Sequence, residues 1–470
     1  MCILRFWTLL GALAILAACR VVSAPQSPEK TLPPQGMSDP AIKNIILVSI
    51  DTLRADYLGF QGGAARTPTI DKLAGEGWAF TSTYATSMLT NPAHASIMTS
   101  LYPQDHGVYT NESGIADGLP TLASLLQKQG LATGAVIGFP HLNPEVSNLG
   151  QGFSEVVRSK FEERRAPQTS AEGLALIDKL AGGQKGKENG FFAWLHYTDP
   201  HAPYEPPSSH PPRHSSTHSP ALYKAFEQAP GFQLNNPWFD FARKKYQTVD
   251  DLVQRYIAEI EATDAGLSML LAGLEERGLL ETTALVLTSD HGENMGEHGL
   301  YFHHGGLYRE TVHVPLIFWA KGLQSSRVDG LVSTVDIVPT LLDLRGVKAD
   351  VPMRGESLCA LVKGKRNARE FVFYEHMEAQ LVGVRNDEGS LIVHQKGSHQ
   401  FPAYPFVPGH KEFYDVANDP AESLALTPRG LLAERLGSAL DGYRAQGMKL
   451  SSRVPLEQDR ESLKALGYLD

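Results

Sequence analysis

Two stretches far apart in the sequence carry residues that could bind a metal ion. Asp51 follows the apolar run 44–50, and Asp290 and His291 follow the apolar run 284–289. Carboxylate oxygens combined with an imidazole nitrogen suit Zn²⁺ or Mn²⁺ better than Ca²⁺. Asp51 alone could instead cap a following helix. Because the same pattern of strand and ligand occurs twice, the sequence favours a divalent metal site.

A hydroxyl group that could act as a nucleophile lies between these stretches. The apolar residues after Thr90 predict a short helix, with Pro92 in its first position. Thr90 would then lie at a helix N-terminus, where backbone N–H groups favour an anion. A metal ion or a base near Thr90 could activate its hydroxyl for attack on an ester. The alternative is that Thr90 only caps the helix, and this stretch alone leaves both possibilities open.

The elements that must position these residues are those of an α/β protein. The runs 44–50 and 284–289 predict strands of a parallel sheet that is covered on both faces, because they are continuously apolar. Polar residues at the carboxyl ends of such strands lie where α/β folds bind ligands. Residues 249–278 show helical spacing of apolar side chains and predict a long amphipathic helix.

Composition limits the class of protein. The 470 residues allow one large domain with an appendage, or two to three ordinary domains. A content of 42% hydrophobic and 20% charged residues is typical of globular proteins. The net charge of −10 argues against a nucleic-acid partner, which would require a basic face.

The N-terminus has the pattern of a secreted, lipid-anchored protein. Residues 1–18 contain Arg5 followed by an apolar run too short to span a bilayer, which predicts a signal peptide. The run ends in Leu-Ala-Ala-Cys19, which resembles a bacterial lipobox and implies lipidation of Cys19. The alternative is an ordinary signal peptide that contains a cysteine. Residues 19–41 are rich in Pro and Ser and predict a tether. We therefore expect a protein anchored on the periplasmic side of a bacterial envelope. Because Arg20 follows the cysteine, and not an Asp that would suggest retention in the inner membrane, the outer membrane is the expected location.

Motifs from about residue 43 to the last residue resemble the sulfatase family of the alkaline phosphatase superfamily. In order, they are NIILVSIDTLRADYLG, TNPAHASIMTSLYPQDHGV, HYTDPHAPYEPP, TSDHGENMGEHGLYFHHGGLYRE, VPLIFW, STVDIVPTLLDL, EFYDVANDP and LKALGYL. The resemblance implies an α/β fold, an alkaline phosphatase-like sandwich with a large, mostly parallel central sheet and a smaller C-terminal α+β subdomain. It implies a catalytic domain over 42–345 and the subdomain over 346–470. Residues 208–248 have the composition of a loop inserted over the site and could form a lid.

The resemblance also assigns roles, with departures from the family pattern. The family's formylglycine is made from Cys or Ser, and Thr90 stands at that position, so we expect no formylglycine. His94 stands where an Arg supports the modified residue and is a candidate catalytic residue. Thr52 replaces a second metal-binding Asp. One divalent metal ion is therefore expected, and its ligands would be Asp51, Thr90, Asp290 and His291.

Four further residues match, wholly or in part, positions that handle the anion in the family. His201 corresponds to the histidine that contacts the sulfuryl or phosphoryl oxygen. His304 is the expected substitute for a missing Lys and could hold the anion or protonate the leaving group. His141 and Asp199 are expected at the substrate, with Asp199 either orienting His201 or binding a second metal. His106 and Asp264 are interpreted as structural, and the histidines at 210, 214 and 218 as parts of an exposed loop.

The function expected from these residues is hydrolysis of sulfate or phosphate esters through a covalent Thr90 ester. The substrate would be a small molecule or an ester of a glycan or lipid, and the membrane would be contacted only through the lipid anchor. Because Thr nucleophiles occur in phosphoester enzymes of the superfamily, one alternative is a phosphodiesterase or phosphotransferase acting on envelope lipids or glycans. Another is an inactive, anion-binding relative.

Overall fold

A large sheet forms the centre of the fold. Its strands are β1 (Asn44–Ile50), β2 (Trp78–Tyr84), β3 (Ala132–Val136), β4 (Glu155–Val157), β5 (Phe191–Tyr197), β6 (Thr283–Ser289), and further along the chain β9 (His313–Ala320) and β10 (Ser326–Ser333). The order across the sheet is β10-β2-β9-β6-β1-β5-β3-β4. Only β9 runs antiparallel to its neighbours. The predicted strand 44–50 is confirmed at both ends, and the mostly parallel sheet is confirmed.

The computed structural model describes residues 42–159, 164–213, 219–228, 237–376, 380–395, 407–448 and 450–453. The predictions of a signal peptide, a tether and a lipidated Cys19 lie outside the described residues, as do His214, His218 and the motif LKALGYL. Residues from Pro40 to Asp470 belong to one compact unit. Within the described ranges, no helix combines the length and the apolar character that crossing a membrane requires.

The central sheet is buried because its strands are apolar on both faces. Along β1, Ile46, Val48 and Ile50 pack into one core, and Ile45 and Leu47 pack into the core on the other face. The first face is covered by α1 (Pro68–Glu76), α6 (Ala166–Gly182) and the long α10 (Val249–Glu276), and α7 (Gln184–Asn189) packs against α6. The second is covered by α2 (Thr90–Thr99), α4 (Leu122–Lys128) and α12 (Ile337–Leu344). The long helix predicted over 249–278 is present and ends at Glu276, two residues before the predicted end.

The remaining elements are short or belong to the C-terminal part. The short helices are α3 (Pro103–His106), α5 (Pro144–Ser147), α8 (Leu222–Gln228), α9 (Pro237–Lys245), α11 (Arg309–Val312) and α13 (Cys359–Val362). Segments of 3-10 helix cover Ala55–Tyr57, Gly59–Gln61, Pro140–Leu142, Leu280–Thr282, Glu297–Gly299 and Thr334–Asp336. A two-stranded ribbon pairs β7 (Asn294–Met295) with β8 (Tyr301–His303).

The C-terminal part has its own small sheet. It is antiparallel, in the order β11 (Val372–His376), β12 (Leu381–Arg385), β13 (Gly389–His394) and β14 (Lys411–Asp415). Helix α14 (Gly430–Ala445) packs on it through Leu436 and Leu440. The small α+β part that the sequence predicted is therefore present within 346–470.

His106 has the contacts of a structural residue. It is fully buried, its Nδ1 accepts the Val108 N–H at 3.0 Å, and its Nε2 lies 3.1 Å from Ser96 Oγ. The accepted N–H fixes the neutral form with the proton on Nε2. Burial lowers the pKa of His106 to about 3.

This buried histidine makes the stability depend on pH. Its folded pKa lies below the unfolded value near 6.5, so its contribution is complete above pH 6.5 and is lost as the pH falls toward 3. At pH 5 we expect His106 to lower the free energy of unfolding by about 2 kcal/mol relative to pH 7. Urea unfolding measures the difference in the free energy of unfolding between pH 5 and pH 7. We expect this difference to be correspondingly smaller in His106→Gln than in the wild type. An identical pH difference in the two proteins would contradict this assignment.

Candidate active site

The two predicted ligand stretches meet at one edge of the central sheet. Strands β1 and β6 are parallel neighbours with Ile50 opposite Ser289, so Asp51 and Asp290 leave adjacent strands at the same level. The His291 Nε2 atom lies 3.4 Å from Asp290 Oδ2 and 3.9 Å from Asp51 Oδ1. One donor atom from each of the three residues falls within 4.8 Å of the others. This spacing could hold a metal ion.

The polar atoms of this cluster have the free electron pairs that a cation requires. Both side-chain oxygens of Asp51 and the Oδ2 of Asp290 are buried without a hydrogen-bond donor. The Nδ1 of His291 lies 3.0 Å from the Gly292 carbonyl oxygen and donates to it, which leaves an electron pair on Nε2 toward the carboxylates. Because buried carboxylate oxygens without a partner are costly, the residues fit a divalent ion.

Burial shifts the pKa values of the cluster strongly. Loss of solvation raises the pKa of Asp51 to about 6, although the nearby His201 and His304 act in the opposite direction. The pKa of Asp290 lies well above its usual value, first because of burial and then because of the Asp51 charge. Burial lowers the pKa of His291, so this ring is neutral at physiological pH. Two buried carboxylates can both ionise here once a cation is bound.

Thr90 lies at this cluster, at the start of α2. Its Oγ1 is 3.4 Å from His291 Nε2, and the residue is 3% exposed. The helix begins at Thr90 itself, so the prediction that Pro92 is its first residue was wrong by two positions. Leu89 occupies the cap position with an extended backbone and no side chain caps the helix, which contradicts the alternative that Thr90 is its cap. The Thr90 hydroxyl therefore lies beside His291 and does not cap α2.

His94 lies behind the cluster in a chain of buried hydrogen bonds. Its Nδ1 lies 2.9 Å from the carbonyl oxygen of Thr90, and its Nε2 lies 2.9 Å from Ser49 Oγ. The Trp194 indole N–H also donates to Ser49 Oγ, so the serine proton is directed to His94. Since both ring nitrogens are engaged and the ring is fully buried, the predicted catalytic role of His94 does not agree with its contacts. The chain instead fixes the first turn of α2 to β1.

His196 belongs to the site, and sequence reasoning missed it. It lies on β5 opposite Ser49 of β1, and its Nε2 is 3.3 Å from Asp51 Oδ2. Its Nδ1 accepts the Gly138 N–H, so Nε2 carries the proton and faces the carboxylate. Burial lowers the pKa of His196 to about 3. The Nε2–H of His196 therefore lies beside Asp51 without forming a hydrogen bond to it, and this protonated nitrogen has no electron pair for a metal ion.

Thr52 adopts a strained backbone at the same edge. Its φ of 54° lies in the left-handed region, which is unusual for a β-branched residue. In this conformation its N–H donates to Asp290 Oδ1 at 3.3 Å, and its carbonyl oxygen accepts the Tyr256 hydroxyl at 2.7 Å. The His291 N–H donates to the same Asp290 oxygen at 2.9 Å. The turn therefore orients Asp290 with its other oxygen directed away from the backbone donors.

Three histidines predicted at the anion surround the cluster. His304 and His291 have ring centroids 4.7 Å apart, and His201 and His304 have centroids 6.1 Å apart. Both His201 and His304 are partly exposed, and a positive charge on either ring would lower the pKa of Asp51. His141 is 6% exposed and stacks on Phe139, whose ring also contacts His201. The three predicted residues are therefore brought near one another, with Phe139 contacting both His141 and His201.

Asp199 has a different partner from the one predicted. Its carboxylate accepts hydrogen bonds from Arg165 Nη1 at 2.9 Å and from the backbone N–H of Ala166 at 2.8 Å. It therefore anchors the start of α6, and the prediction that it orients His201 or binds the substrate does not agree with its contacts. Asp264 holds the start of α1 in a similar way, by accepting the N–H groups of Thr69 and Ile70, in agreement with a structural role.

The insertion over 208–248 is only partly described. His210 is half-buried, and its Nδ1 lies 3.1 Å from its neighbour Ser209 Oγ. Helices α8 and α9 lie in this region, and Lys245 of α9 makes an ion pair with Glu205, close in sequence to His201. The insertion therefore contacts the loop that carries His201, and its role as a lid stays a prediction.

Comparisons with known proteins show the family to which the chain is similar. The profile of the family described as Sulfatase matches residues 43–347, and one described as N-sulphoglucosamine sulphohydrolase, C-terminal, matches residues 296–430. An arylsulfatase from Clostridium perfringens is 24% identical, over 88% of this chain and 98% of its own length.

Two solved structures show the same fold. An enzyme in complex with its substrate D-glucosamine-2-N,6-O-disulfate superposes with a TM-score of 0.70 at 20% identity, covering 87% of this chain and 98% of its own. The phosphonate monoester hydrolase from Silicibacter pomeroyi superposes with a TM-score of 0.64 at 19% identity, covering 88% of this chain and 99% of its own. The alkaline phosphatase-like fold predicted from the motifs is confirmed. The chain therefore belongs to the sulfatase family of sulfuric ester hydrolases.

Proposed function

We propose that the protein is a metal-dependent hydrolase in which Thr90 replaces formylglycine as the nucleophile. The ion would be held by Asp51, Asp290, His291 and the oxygen of Thr90. One imidazole among oxygen ligands favours Zn²⁺ or Mn²⁺ over Ca²⁺. The lipid anchor predicted at Cys19 would keep this chemistry on the periplasmic side of the envelope.

One observation carries the proposal: the Thr90 hydroxyl lies beside three buried carboxylate oxygens that have no hydrogen-bond donor. Thr90 Oγ1 is 3.4 Å from His291 Nε2, the same nitrogen that faces Asp51 and Asp290. Among the described residues, no lysine or arginine forms an ion pair with either carboxylate. A divalent ion would satisfy these oxygens and also reach the hydroxyl.

The reaction follows from what each side chain can do. A divalent ion bound there would stabilise the alkoxide of Thr90 and the charge on the ester oxygens. Thr90 Oγ1 forms a bond to the sulfur or phosphorus atom, the bond to the leaving oxygen breaks, and its electron pair remains on that oxygen. The N-terminus of α2 and the partly exposed His201 stabilise the charge on the other oxygens. Water then attacks the Thr90 ester and restores the residue.

Sulfate esters are the substrates that family membership favours. One fold neighbour has a glucosamine disulfate as its substrate, which makes a glycan sulfate a reasonable first test. Another neighbour is a phosphonate monoester hydrolase, and this likeness together with the Thr nucleophile favours phosphoester hydrolysis or phosphotransfer as the second candidate.

A panel of four esters separates these candidates. The protein from residue 20 onward, loaded with Zn²⁺ or Mn²⁺, would be assayed with 4-nitrophenyl sulfate, phosphate, phosphodiester and phosphonate. We expect turnover of at least one ester and none after removal of the metal by a chelator. Turnover of phosphoesters alone would select the second candidate. Silence on all four esters and on the glucosamine disulfate named above, with the metal bound, would contradict the hydrolase proposal and favour an anion-binding protein.

A further inference from the structure

A buried carboxylate lies against His304 and has no part in the metal cluster. Glu293 follows β6 by four residues and is 1% exposed. Its Oε2 accepts the Tyr204 hydroxyl at 3.1 Å. Its Oε1 is buried, has no hydrogen-bond partner and lies 3.8 Å from His304 Nδ1. The Nδ1 of His304 also has no other partner.

The other side chains around Glu293 do not provide a partner for its free Oε1. Arg54 contacts its backbone carbonyl, but the guanidinium pairs with Asp56 and Glu297, so it does not neutralise the Glu293 side chain. Tyr204 is held by packing against Tyr256 and Phe302, and its hydroxyl therefore fixes the carboxylate from one side. The free oxygen faces His304. A carboxylate that orients the far nitrogen of an imidazole is the arrangement that holds a histidine for proton transfer.

His304 has the position from which such a transfer would occur. Its ring lies 4.7 Å from that of His291 and 6.1 Å from that of His201, centroid to centroid, and its side chain is 18% exposed. With Nδ1 directed to Glu293, Nε2 is the nitrogen available to an ester. The 3.8 Å separation from Glu293 is longer than a hydrogen bond, as is common for catalytic contacts before substrate binds.

We propose that Glu293 is a positioning residue, held by Tyr204, that orients His304 as the general acid for the leaving group. The proposal rests on the proposed function above. As the bond between the sulfur or phosphorus atom and the leaving oxygen breaks, that oxygen takes the proton from His304 Nε2. In the second step the attacking water gives a proton back to the same nitrogen as its oxygen displaces Thr90. The Nδ1–H remains directed to Glu293 throughout.

Leaving-group dependence tests this proposal. A general acid matters most when the leaving oxygen is basic, so Glu293→Ala should lower kcat on an alkyl ester by about 10²-fold or more. On the 4-nitrophenyl ester of the same acid we expect less than about a tenfold loss, because that leaving group needs little protonation. His304→Ala should show the same pattern. The double variant should be no slower than His304→Ala alone, because the two residues act as a unit.

Control variants separate orientation from folding. Glu293→Gln keeps an oxygen that can accept the Nδ1–H and should restore most of the rate on the alkyl ester. Glu310→Gln changes another buried glutamate of the same region, which pairs with His298 rather than His304. Glu310→Gln should leave the ratio of the kcat values on the two esters unchanged. An equal loss on both esters in Glu293→Ala, or additive effects in the double variant, would overturn the proposal.

A spectroscopic measurement is independent of turnover. In ¹⁵N-labelled protein, the ring nitrogens of His304 report which of them carries the proton in the neutral form. We expect the proton on Nδ1 in the wild type and a shift toward Nε2 in Glu293→Ala. A wild-type ring with its proton on Nε2 would overturn the inference even if no ester is hydrolysed, whereas failure of the ester panel alone would overturn only the proposed function.

Discussion

Replacing Thr90 by alanine is expected to lower kcat/KM by about 10⁴-fold or more, because it removes the oxygen that forms the covalent ester. The fold should remain, since the Thr90 side chain makes no capping hydrogen bond to α2. Thr90→Ser keeps a hydroxyl and should retain measurable turnover. Steady-state assays on the best ester of the panel, together with circular dichroism of each variant, are the measurements.

A second threonine of the same helix provides the control for the Thr90 variants. Thr99 is also buried, and its Oγ1 donates to the Ala95 carbonyl oxygen at 2.6 Å, away from the carboxylates. Thr99→Ala should therefore affect stability but leave kcat within about threefold of the wild type. Wild-type turnover by Thr90→Ala would exclude this residue as the nucleophile and direct attention to a metal-bound water.

Replacing Asp290 by asparagine is expected to change stability in opposite directions with and without metal. In the metal-free protein the substitution removes a carboxyl group whose ionised form is disfavoured by burial and by the Asp51 charge, and it keeps the Oδ1 that accepts the Thr52 and His291 amides. Because the folded pKa of Asp290 is raised, its ionised form opposes folding above that pKa. We therefore expect the variant to have a higher free energy of unfolding than the wild type once the pH exceeds that pKa, and a smaller difference at lower pH.

With metal bound, we expect the wild type to be more stable than Asp290→Asn. At a concentration 100 times its Kd, an ion that binds only the folded state adds about 2.7 kcal/mol to the wild type, and the variant should gain little. Urea unfolding and calorimetric titration with Zn²⁺ and Mn²⁺ measure both effects. Asp264→Asn is the matched control, since that carboxylate accepts two backbone amides and its loss should destabilise the protein equally with and without metal. Equal metal stabilisation of wild type and Asp290→Asn would exclude Asp290 as a ligand.

The parts of the site that follow strands could be predicted from the sequence. Both Asp51 and Asp290 end continuous apolar runs, and parallel strands bring their carboxyl ends to one edge of a sheet. The pairing of Ile50 with Ser289 shows that β1 and β6 are neighbours in that sheet. The prediction required only local periodicity and one general rule of topology. This is why it located the two carboxylates but not the residues that support them.

The positions of the supporting residues are set by strand register and by contacts between residues far apart in the sequence. His196 is one polar residue in the strand FFAWLHY, and only its register opposite Ser49 places it beside Asp51. Asp199 appeared suited to orient His201, but Arg165, 34 residues earlier in the chain, takes its carboxylate. His94 was predicted to be a catalytic residue from its place in the motif, whereas its partner Ser49 lies 45 residues away. No local pattern in the sequence contains these contacts.

The separation of Thr52 and Asp290 by 238 positions has a consequence for how the enzyme is assembled during synthesis. The two carboxylates become neighbours only when β6 has been made and added beside β1. A nascent chain that ends before residue 290 therefore has no site for the ion, however much of the sheet has formed. An ion held by these residues would be acquired only after about 290 of the 470 residues have been made, and a proteolytic cut that releases either strand would release the ion as well.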